Sequence, residues 1–106
     1  DHRNFIKNHP YRLWMIVKYG KTFKGAFYLT KDNVIGISLN SVIVDEYCEL
    51  ISLILNRYKP LKPIPSIRSK YFTINANPKD KILNQSLRKL NMKFIQKTFA
   101  YIPDRK

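Results

Sequence analysis

The feature that most constrains this chain is a change of hydrophobic period at Val44. Before it, apolar residues fall into three short runs: 11–19 (YRLWMIVKY), 22–29 (TFKGAFYL) and 34–39 (VIGISL). β-Branched and aromatic side chains pack well on a pleated surface, so each run predicts a strand. Gly20-Lys21 and Lys31-Asp32-Asn33 are connections short enough to demand antiparallel neighbours. After it, Val44, Tyr47, Cys48, Ile51, Ile54, Leu55 and Tyr58 recur at three- and four-residue spacing. That is one apolar face of a helix over 45–58.

The first run is apolar on both faces. Leu13, Met15 and Val17 point one way, Trp14 and Ile16 the other, which predicts a central strand covered on both sides with Trp14 in the core. Asp45, Glu46 and Glu49 sit in the first turns of the helix, where carboxylates complement its dipole. Pro60 ends it. Residues 59–65 (KPLKPIP) form an extended crossover, and 67–76 (IRSKYFTINA) predicts a fourth strand. Asn75, Asn77 and Asp80 read as turn and capping residues for a second helix over 79–90, striped by Ile82, Leu83, Leu87 and Leu90. Asn91 suits a left-handed cap, and 92–101 (MKFIQKTFAY) predicts a last strand. The expected order is β-β-β-α-β-α-β. This is a single α/β (α+β) domain over 1–106, with a mixed, mostly antiparallel sheet flanked by two helices.

Composition narrows the function classes. Hydrophobic residues make up 44% of the 106, enough for a core. The lone Cys48 excludes an intrachain disulfide or a Cys-based zinc site and points to a reducing, cytoplasmic setting. Its place on the apolar helix face predicts a packed thiol. His2 and His9 have no carboxylate at metal-ligand spacing, so no metal is expected. No apolar run reaches the roughly 20 residues that span a bilayer, so no membrane partner is expected.

The order and the end chemistry resemble the GCN5-related N-acetyltransferase superfamily from its second strand onward. The residues that carry the resemblance are RLWMIVKYG, the Gly of FKGAFYL, the strand-to-helix step VIGISLNSVIVDEYCELI, and NANPKDKILNQSLRKLNMKFIQKTFAYI, where Leu90-Asn91-Met92 stands for the family's Leu-Gly-Phe. It covers about residues 12–101. The resemblance implies acetyl-CoA as cofactor, bound by backbone amides of Asn40, Ser41, Val42 and Ile43, and direct attack of an amine on the thioester. The family's first strand and two helices would precede this chain, with residues 1–10 the tail of the second helix. Their loss would uncover a sheet surface able to self-associate. The stretch 38–49 departs from the family's Gly-rich turn: it has no Gly and no basic residue, and three carboxylates. The family's Tyr acid would fall near Leu87, so Glu46, Tyr71 and Tyr101 are the remaining catalytic candidates.

The net charge of +13 favours anionic partners. Arg57, Lys59, Lys62, Arg68 and Lys70 occur without an intervening acid, and Arg88 and Lys89 add a second group. With Tyr58, Tyr71, Phe72 and Phe94 interleaved, they form the alternative, a nucleic-acid-binding module in which cations meet phosphates and aromatics stack on bases. A solvated basic face over core aromatics is the competing account.

Overall fold

A computed structural model describes residues 11–40, 42–96 and 99–103. The three apolar runs form β1 (Tyr11–Tyr19), β2 (Thr22–Thr30) and β3 (Val34–Leu39). Helix α1 (Val44–Arg57), a two-residue strand β4 (Thr73–Ile74) and helix α2 (Lys81–Lys89) follow. The sheet order is β1-β2-β3-β4, antiparallel at the first two junctions and parallel at the third. The fold is therefore α+β, a four-stranded mixed sheet with two helices. The expected helix at 1–10 lies outside the described residues.

Local chemistry accounts for each connection. Tyr19 pairs with Thr22 across Gly20-Lys21, giving a two-residue hairpin. At the next turn Asn33 takes a left-handed conformation (φ 66°), which Asn tolerates better than most residues. The Thr30 hydroxyl accepts from the amides of Asp32 (3.2 Å) and Val34 (3.0 Å). Asp80 caps α2 by accepting from the Leu83 amide at 3.0 Å, so the helix opens two residues after the expected start. Its end is a Schellman motif: Asn91 has φ 60°, its N–H donates to Arg88 O, and Met92 N–H donates to Leu87 O, each at 3.0 Å.

Both helices pack on one face of the sheet. Leu13, Val17, Phe27, Leu29 and Ile35 meet Leu50, Ile54 and Tyr58 of α1. Ile37, Leu39 and Ile74 meet Tyr47 and Ile51 of α1 and Leu83 and Leu87 of α2. Burying one such aliphatic side chain contributes about 1.5–3 kcal/mol. The buried Ser86 sits where the helices touch, its hydroxyl donating to Ile82 O at 2.7 Å and lying 3.3 Å from Val44 O. The half-buried Cys48 thiol points at Ser86 O, 3.6 Å away. On the opposite face the Tyr28 ring lies directly over Gly36, where any Cβ would collide with it. The Tyr11 ring packs 4.6 Å from that of Tyr28 and 5.7 Å from that of Trp14.

Three expectations are corrected. Among the described residues β1 is an edge strand, paired only with β2, and Trp14 and Ile16 are 56% and 66% exposed. Both helices chose the other face, leaving these side chains uncovered by any described element. The fourth strand shrinks to Thr73–Ile74 because Ile64 and Arg68 close a tight loop on each other, donating N–H groups to one another's carbonyls at 3.0 and 2.8 Å. The last strand does not form among the described residues of 92–101, where Phe94 is 81% and Tyr101 91% exposed. A two-residue β4 offers it little edge to pair with.

Candidate functional site

The two ends of the sheet differ in chemistry. β3 and β4 pair only at Val34–Thr73 and Ile35–Ile74, at the start of β3 and away from the end that leads into α1. Beyond Ile35 the two parallel strands are no longer bonded to each other, and β3 runs on through Leu39 with β2 alone. The Leu39 N–H donates to the Tyr47 hydroxyl at 3.4 Å, so it points away from β2 toward this wedge. By the two-residue alternation of an antiparallel ladder, the Ile37 N–H faces the same side. Tyr47 is nearly fully buried. Burial pushes its phenol up from 10.0, the Leu39 amide opposes this, and Asp80 adds to the rise. The hydroxyl is therefore kept protonated. Sequence reasoning treated Tyr47 only as part of an apolar stripe, and its three-residue offset from the start of α1 at Val44 was the one signal that it would return to β3.

The amides expected to bind a cofactor are differently employed. Asn40 N–H donates to Lys24 O at 2.6 Å. Ser41 lies outside the described residues. Val42 packs against the Tyr47–Ile51–Leu83 cluster. Ile43 is the N-cap of α1, and its N–H donates to the Glu46 carboxylate at 3.0 Å. The Glu46 carboxylate is thus engaged in capping the helix. Asp45 accepts from Lys89 at 2.7 Å, an exposed ion pair that raises the Lys89 pKa through the hydrogen bond first and the charge second. The Tyr19 phenol at the end of β1 is also raised, by burial first and then by the charges of Glu46 and Glu49. The helix N-terminus is already answered by negative charge.

Tyr71 and Tyr101 do not join this site. Tyr71 is exposed in the crossover, with the Lys70 ammonium 5.4 Å from its ring centre, and Tyr101 is exposed near the C-terminus. Among the described residues no three His, Cys, Asp or Glu side chains gather to hold a metal ion. A shallow hollow at Pro63–Ser69 lies in the crossover, remote from the wedge.

The other end gathers basic residues by way of backbone contacts. Arg68 donates to Lys31 O (2.6 Å) and Lys62 O (3.0 Å), and Arg12 donates to Lys59 O (2.7 Å). Asn33, fully buried, donates to Leu61 O (2.8 Å) and Ser69 O (2.9 Å) and accepts from Leu61 N–H (2.7 Å). Its own carbonyl accepts from Thr73 N–H at 2.9 Å. Arg57, Lys59, Lys62, Arg68 and Lys70 therefore share one end with Arg12 and Lys31, and Asp32 is the carboxylate among them. Arg88 and Lys89 do not join them: Lys89 is bound to Asp45 at the start of α1, about 20 Å of helix away from Arg57. Of the interleaved aromatics, Tyr58 and Phe72 pack in the core, while Tyr71 and Phe94 are exposed.

The chain matches no protein-family model, no curated protein and no solved structure. None of the described helices is long and apolar enough to cross a membrane.

Proposed function

We propose that this chain is an acetyl-CoA-dependent N-acetyltransferase-like scaffold whose donor site is the wedge between β3 and β4. The observation that carries the reading is the parallel pair joined through α1, bonded for two residues, after which β3 runs on toward α1 with no β4 partner. Strands that diverge leave backbone N–H groups without a ladder partner. That of Ile37 is aimed where a thioester carbonyl would be polarised, while that of Leu39 is held by the Tyr47 hydroxyl. An acceptor amine would attack that carbonyl, forming the C–N bond as the C–S bond breaks. The amine proton then passes to the departing thiolate, and Tyr47, held neutral, is the nearest phenol able to supply one.

The same geometry makes the site a weak one. Glu46 holds the Ile43 amide, and Asp45 and Glu49 face any pyrophosphate that approaches the helix. Calorimetric titration of the chain with acetyl-CoA tests the reading. Binding in the high-micromolar range that tightens in Glu46→Ala is expected. Lack of binding by either protein at millimolar cofactor would sink it.

The gathered basic end supports a second reading, a contact surface for a nucleic-acid backbone. It predicts an affinity that falls steeply with salt and weakens when Lys59, Lys62 and Lys70 are replaced together by Ser. Binding that ignores salt would rule it out.

A further inference from the structure

The edge strand β1 is chemically near-symmetric about Met15. Read outward from Met15, its residues match in pairs: Trp14 with Ile16, Leu13 with Val17, Arg12 with Lys18, Tyr11 with Tyr19. The strand is a chemical palindrome nine residues long, and it lies at the border of the sheet. Three adjacent side chains at its centre are uncovered, Trp14 at 56%, Met15 at 44% and Ile16 at 66%. The stretch from Leu13 to Val17 carries no charge.

An edge strand presents alternating N–H and C=O groups, and another strand is the partner that satisfies both. We propose that β1 pairs antiparallel with β1 of a second copy about a two-fold axis at Met15, joining two four-stranded sheets into one of eight. In that register Trp14 of each copy stands opposite Ile16 of the other on the open face, and Met15 meets Met15 on the helix face. Residues directly opposite in an antiparallel pair share a face, so every apolar side chain gains an apolar neighbour. The self-complementary patch is what an isologous dimer requires.

Arg12 opposite Lys18 is the unfavourable pair. Its effect is softened because the Arg12 guanidinium is turned to Lys59 O on the crossover, and because β1 is irregular at both ends of the uncharged stretch. Repulsion between these cations, and between two copies each of net charge +13, is screened by salt. The dimer therefore strengthens as salt rises, the reverse of nucleic-acid binding.

Sedimentation velocity on the full chain tests this, with wild type, Met15→Glu, Met15→Lys and an equimolar mixture of the two variants, at low and high salt. The wild type should dimerise more strongly in high salt. Each variant alone places like charges on the axis and should raise the dimer dissociation constant about a hundredfold. The mixture should recover the dimer, because Glu then faces Lys, and recovery shows that both variants fold. A wild type that stays monomeric in high salt, variants that remain dimeric alone, or a mixture that stays monomeric would each overturn the proposal.

Discussion

The two ends of the sheet hold their backbones in opposite ways. At the crossover end, side chains reach carbonyls and amides: Asn33 binds Leu61 and Ser69, Arg68 binds Lys31 and Lys62, and Arg12 binds Lys59. At the wedge end β3 has no β4 partner, and the structure is held by the packing of Tyr47, Ile51 and Leu83 and by a carboxylate cap. The two ends therefore differ in local charge, although the whole chain carries a net +13. Two of the arginines at the basic end donate to carbonyls, and the carboxylates concentrate where a phosphate was expected.

If hydrogen bonding fixes the crossover end, Asn33→Ala should produce the largest loss. It strands the Leu61 amide and two carbonyls in a buried site and forces a left-handed alanine, a cost of about 4 kcal/mol. Urea denaturation should show it, with exchange protection lost first at Thr73, whose N–H Asn33 also binds. If packing fixes the wedge end, Ile51→Ala should cost about 3 kcal/mol by leaving a cavity between the two helices. An Ile51→Ala cost well below 1 kcal/mol would end the contrast.

Tyr47 gives a pH test of the wedge end alone. Its phenol is raised in the folded state, so the folded chain holds the proton more tightly than the unfolded chain. That contribution is fully present below the ordinary value of 10.0 and is lost as pH rises through the folded pKa. Denaturation midpoints should fall above pH 10, and Tyr47→Phe should flatten that fall. The smallest effect is expected from Lys89→Ala, since both members of its ion pair with Asp45 are exposed. Its denaturation midpoint should coincide with that of the wild type.

Much of the fold was legible because it is local. The Gly20-Lys21 hairpin, the amphipathic face of α1, the Asp80 cap and the Asn91 C-cap each follow from a few adjacent residues. The errors lie where pairing is distant. Nothing in 11–19 says which strands flank it, so two apolar faces read as a central strand when β1 is an edge. Residues 67–76 read as a strand, but a closed Ile64–Arg68 loop and an early divergence from β3 leave two residues in the ladder. At the site, Asn40 and Ile43 were placed correctly at the strand-to-helix step. The engagement of Asn40 with Lys24 depends on a strand pairing that spacing does not carry, whereas that of Ile43 with Glu46 is a local three-residue capping contact. Asn33 was recognised as a turn residue, though its role in binding a crossover 28 residues away was not visible.

The central claim is that the divergence of β3 and β4 is a thioester site, and it is tested most directly by amide NMR of the chain titrated with acetyl-CoA. A basic protein attracts the phosphates of this cofactor anywhere on its surface, so location decides the matter and affinity does not. The account predicts saturable shifts at Ile37, Leu39, Ile43 and Ile74, larger in Glu46→Ala. Shifts confined to Lys59, Lys62, Arg68 and Lys70 that vanish in high salt would contradict it.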